Sequence, residues 1–130
     1  MSTTSALLSR YKSVQVTTSS PVQLVVMLYD GIFRFVREAR DAHEKQDRPR
    51  FTERVGRVHS IVELLLSSLE REAFPELTER LEGVYGFCLE RAMTAGVQFK
   101  TEPLADIERV LEPLREAWRT TLLSEADKKR

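Results

Sequence analysis

The sequence predicts an all-α protein built as an antiparallel four-helix bundle. Apolar residues recur at helical spacing in four separate stretches. Proline and capping residues punctuate the gaps between those stretches. No credible set of alternating strands competes with them. A chain of 130 residues and 15.0 kDa suits one domain. Its hydrophobic fraction of 42% can supply a core.

The elements follow in chain order. Residues 1–19 are rich in Ser and Thr and read as a mobile N-terminal arm with apolar anchors at Leu7, Leu8, Tyr11, Val14 and Val16. The bundle is expected over 20–123. Ser20 suits an N-cap, Pro21 a first helical position, and Gln23 a capping-box partner. The first stripe runs from Leu24 through Leu28, Ile32 and Phe35 to Ala39, and fades near Gln46. Asp47-Arg48-Pro49 marks the second start, and Phe51, Val55, Val58, Val62, Leu65 and Leu69 its stripe. Ala73-Phe74-Pro75 breaks it. The third stripe is Leu77, Leu81, Tyr85, Cys88 and Ala92, with Gly96 as a C′ residue. The fourth runs from Leu104 through Leu111 and Trp118 to Leu122. Pro113 within it either kinks that helix or splits off a short extra C-terminal one. Residues 124–130 read as a charged tail.

The composition narrows the function. Twenty basic and 20 acidic residues give a formal net charge of +0, so no basic excess points to nucleic acid. No apolar run is long enough for membrane insertion. Met1 to Ser9 lacks the pattern of a secretory signal. One cysteine, Cys88, allows no intrachain disulfide, which fits the cytosol. No Cys/His spacing suggests a metal, and no Gly-rich loop suggests a phosphate cofactor. No cofactor and no catalytic group is expected. His59 offers phosphotransfer on paper, but a surface or half-buried histidine explains it far better. Cys88, Tyr85 and Trp118 sit at core spacing.

The first helix carries a surplus. Val22, Val26 and Phe33 form a second stripe beside the core face, with Tyr29 on the border between the two. One surface helix with one core face does not need them. Two readings remain open: deeper burial in the bundle, or an apolar groove that receives a partner helix. Leu8 and Tyr11 of the arm are candidates to cover such a groove. Leu64 and Phe87 also lie off their main stripes and are weaker candidates for exposed apolar contacts.

The run Val16-Thr17-Thr18-Ser19-Ser20-Pro21 through Leu28-Tyr29-Asp30-Gly31 resembles the opening of the FliS family of flagellar export chaperones. Ser68-Leu69-Glu70, Leu81 with Tyr85, and Ala117-Trp118 extend the resemblance in order across roughly residues 11 to 119. The chain departs from the family pattern at Glu70, at Ala73-Phe74-Pro75-Glu76, at Ala95-Gly96 and at Pro113.

The resemblance implies a cytosolic, non-enzymatic chaperone. Such a protein holds the C-terminal segment of flagellin, prevents early polymerisation and hands it to the flagellar type III export apparatus. An export-gate subunit or a flagellar regulator is a further partner it implies. It maps arm anchors to Leu8 (or Leu7) and Tyr11, in agreement with the partner contacts that periodicity places at Val22, Val26, Tyr29 and Phe33. The rival reading is a helical-bundle homodimer, or an adaptor for a different protein.

Overall fold

The computed structural model describes residues 20–128. The arm expected over 1–19, with Leu8 and Tyr11, lies outside the described residues. Four helices follow one another: α1 (Pro21–Glu44), α2 (Arg48–Ser67), α3 (Pro75–Gln98) and α4 (Glu102–Lys128). Short links at 45–47, 68–74 and 99–101 turn the chain back on itself. Each helix packs on its sequence neighbour, and α1 closes the ring against α4.

Local chemistry sets the boundaries. The Ser20 hydroxyl accepts from the Gln23 N–H at 3.1 Å, and Pro21 occupies the first turn. The Asp47 carboxylate accepts from the Arg50 N–H at 3.1 Å in the same way at the start of α2. The end of α3 differs from expectation. Gly96 lies inside the helix, and Phe99 takes the left-handed position with φ 53°. A phenylalanine is strained there. Its ring compensates by packing edge-on to Phe51 at 5.1 Å and against His43 at 4.5 Å. His43 Nε2 also meets the Phe99 carbonyl at 3.1 Å.

Pro113 does not split the last helix, which runs unbroken to Lys128. Among the described residues no short extra helix follows, and residues 124–128 continue α4. Pro113 and Arg109 both lie on the exposed side. The Arg109 carbonyl that loses its helical donor therefore opens to water.

The core is apolar and continuous from Leu28 to Leu111, with Tyr29, Tyr85 and Phe51 its largest fully buried side chains. Leu64, off its main stripe, is 1% exposed and belongs to that core. Cys88 is buried among these residues, and burial pushes its thiol up to about 12.

The tetrapeptide Leu28-Tyr29-Asp30-Gly31 fastens α1 to everything around it. Leu28 enters the core. The Tyr29 and Tyr85 hydroxyls share a hydrogen bond of 2.7 Å across the bundle to α3. Asp30 Oδ1 accepts from Arg115 Nε and from an Arg119 terminal nitrogen of α4, each at 3.0 Å. Gly31 faces α2, where a Cβ would stand 3.2 Å from Ile61 Cδ1. Glycine there lets the two helices approach closely. Four consecutive residues thus bind α1 to the core and to each of the other three helices.

Candidate functional site

The four helices meet around an apolar pocket of about 380 Å³ at the end of the bundle where α1 begins. Pro21, Val22 and Val25 form its α1 wall. Leu65, Ser68 and Leu69 close it from the end of α2, with Glu70 and Phe74 from the following link. Leu77, Thr78, Leu81 and Tyr85 come from α3, and Trp118 from α4.

Two polar groups in that lining are already engaged within the protein. The Thr78 hydroxyl donates to the Glu70 carbonyl at 3.0 Å, which ties the α2–α3 link to α3. Tyr85 spends its hydroxyl on Tyr29. Burial raises the pKa of both tyrosines, so each remains a neutral hydroxyl at ordinary pH. What the pocket offers an occupant is apolar surface. The rim is apolar as well: Phe74 is 65% exposed and Leu77 52%. Apolar groups left in water beside a concave apolar pocket are the mark of a contact surface.

The expected partner residues separate. Val22 is half-buried and lines the pocket. Val26 is 8% exposed. Tyr29 is 0% exposed and serves as a core residue. Phe33 is half-buried, with the Arg115 guanidinium 4.4 Å above its ring. The reason is geometric. Helix α1 packs on α2 and on α4, so it needs two apolar flanks. Phe33 is covered by Arg115 of α4, Val26 is buried, and Val22 stays at the pocket wall. Leu8 and Tyr11 fall outside the described residues.

Sequence reasoning missed the rest of the pocket, notably Val25, Leu69, Phe74, Leu77 and Trp118 as lining residues. One signal was legible. Phe74 stands at the N-cap of α3, where a side chain that can accept a backbone hydrogen bond normally sits, and it makes none. Phe87 was expected off its stripe and is 40% exposed. His59 is half-buried, with Nδ1 3.1 Å from Glu63 Oε1. Among the described residues no group of three or more His, Cys, Asp or Glu could hold a metal ion, and no helix is long and apolar enough to cross a membrane.

Known proteins share this pattern along nearly the whole chain. The family model described as flagellar protein FliS matches residues 4–125. The flagellar secretion chaperone FliS of Bacillus subtilis is 30% identical over 115 residues, covering 88% of this chain and 85% of the relative. That of Campylobacter jejuni is 29% identical, over 84% of this chain and 85% of its own. The Escherichia coli protein of the same name is 26% identical, over 84% and 81%. The motif that fastens α1, the four-helix ring and these matches together show that the chain belongs to the FliS family of flagellar secretion chaperones.

Proposed function

We propose that this protein is a cytosolic, non-enzymatic export chaperone for flagellin. It binds the flagellin C-terminal segment, prevents premature polymerisation, and delivers the segment to the flagellar type III export apparatus. The observation that carries this reading is the apolar pocket at the α1 end with its exposed rim of Phe74 and Leu77.

The physical logic is a transfer of apolar surface. An amphipathic segment outside its filament exposes a face that aggregates or polymerises. Each large apolar side chain that leaves water for the pocket contributes about 1.5–3 kcal/mol. Ordering the segment opposes this by about 2–5 kcal/mol. Association itself costs a further ~4–15 kcal/mol, so binding needs several anchors spread over the pocket and its rim. Val22, Val25 and Leu77 are the walls such anchors touch. Val26 and Tyr29 support the pocket from within.

In this proposal the arm competes for the same surface. The pocket lining begins at Pro21, so a tethered arm carrying Leu8 and Tyr11 acts there at high effective concentration. They shield apolar surface in the empty chaperone and give way to the substrate.

Calorimetry with the flagellin C-terminal segment tests the proposal. A one-to-one complex with a large negative heat-capacity change is expected, tightened by deletion of residues 1–19. No heat of binding from either form would remove flagellin as the substrate.

A further inference from the structure

We infer that the seam between α1 and α4 is a second interaction site, which recognises a carboxylate-rich segment of a partner protein. A hollow of about 490 Å³ opens along this seam. Arg34, Arg37 and Arg40 of α1 and Arg115 and Arg119 of α4 line it, against two carboxylates, Asp30 and Glu108. Five arginines against two carboxylates leave the lining itself positive, with Glu38, Glu112 and Glu116 on its flanks. The hollow shares no lining residue with the apolar pocket.

The arginines are held ready to different degrees. Arg40 pairs with Glu108 across the seam. Arg115 and Arg119 converge on Asp30 Oδ1, and Arg115 also stacks on Phe33 at 4.4 Å. These contacts fix two guanidinium groups before any partner arrives, which lowers the ordering cost of binding. Arg34 is only loosely engaged, 3.8 Å from Glu38. Arg37 is exposed and has no ion-pair partner among the described residues. An incoming carboxylate meets that uncommitted guanidinium first.

The residue type and the flanks define the partner. Every basic group in the lining is arginine, whose planar fork matches a carboxylate bidentately. Glu112 and Glu116 pair with Arg115 and Arg119 at 3.5 and 3.4 Å, and Glu38 flanks Arg34. Those acids repel a uniform polyanion such as a nucleic-acid backbone. A peptide can set single carboxylates between them.

The test uses fluorescence anisotropy on the full chain with a labelled Glu-rich peptide and its Gln counterpart. At low salt the Glu peptide is expected to bind about tenfold tighter than the Gln peptide or more, with the preference shrinking as salt rises. Arg37→Glu should weaken the Glu peptide at least about tenfold with an unchanged circular dichroism spectrum, whereas Arg37→Lys retains part of the affinity. Arg50→Glu, exposed on α2 outside the seam, should leave binding unchanged. Equal binding of the two peptides overturns the inference. So does an Arg50→Glu effect as large as that of Arg37→Glu, or a single-stranded oligonucleotide that displaces the Glu peptide.

Discussion

The hydrogen bond between Tyr29 and Tyr85 joins helices on opposite sides of the ring, and its removal is a quantitative test of how the bundle is held. The two oxygens are 2.7 Å apart, and the side chains are 0% and 2% exposed. Water cannot readily replace a lost partner there. Tyr29→Phe leaves the Tyr85 hydroxyl stranded, at a cost of about 1–3 kcal/mol. Tyr85→Phe strands the Tyr29 hydroxyl in the same way, at a similar cost of about 1–3 kcal/mol. In the double variant no hydroxyl remains to satisfy, so its loss should be smaller than the sum of the singles by about 1–2 kcal/mol. Urea unfolding followed by circular dichroism reads these values directly. On heating, each kcal/mol lowers Tm by about 4 °C in a domain of this size. Additive effects in the double variant would falsify the claim that the two hydroxyls act as a pair.

Other expectations follow from single positions. Gln46 holds φ 56° in the α1–α2 link, so Gln46→Gly should raise stability by about 0.5–1 kcal/mol in the same urea assay. Phe99 has a similar φ of 53°, but Phe99→Gly should destabilise by more than about 1 kcal/mol, because the contacts with Phe51 and His43 are lost with the ring. The Cys88 thiol should resist alkylation in the folded protein at mild alkaline pH and react on unfolding. Burial holds the folded thiol at about 12, above its ordinary value of 9.0, so the protonated thiol favours the folded state. That contribution is complete below about pH 9 and falls as pH rises toward 12, which unfolding curves against pH should show. Leu77→Glu, on the exposed rim, should weaken flagellin binding about tenfold or more with little change in unfolding midpoint.

The helix boundaries were legible because they rest on local chemistry. Ser20-Pro21 and Asp47-Arg48-Pro49 announce caps that the structure contains. The core stripes were legible because burial follows the helical repeat. Gly96 misled because glycine is the common left-handed residue after a helix. The α3 end is decided instead by an aromatic cluster drawn from α1, α2 and the α3–α4 link, which no local pattern reveals. Pro113, in a helix that does not split, left a kink or a split open for a related reason. Its cost depends on whether the orphaned carbonyl reaches water, and that depends on which side of the bundle it faces.

The site was half legible. The surplus stripe on α1 includes Val22, which lines the pocket. Periodicity cannot say which of two flanks a neighbouring helix covers, so it left burial and a groove both open for Val26 and Tyr29, and both side chains are buried. The pocket itself is formed at the ends of three helices and the flank of a fourth, residues separated by nearly a hundred positions between Pro21 and Trp118. Such a site exists only once the chain has closed into its ring.

Trp118 supplies the most direct test of the central claim, because it is the single tryptophan in the chain and it lines the pocket. Its emission can be followed while a tryptophan-free flagellin C-terminal segment is titrated in. The account predicts a saturable one-to-one spectral shift that Val22→Asp abolishes without altering the far-ultraviolet circular dichroism. Binding heat with an unchanged Trp118 spectrum and full affinity in Val22→Asp would contradict it, because the segment would then lie elsewhere on the bundle.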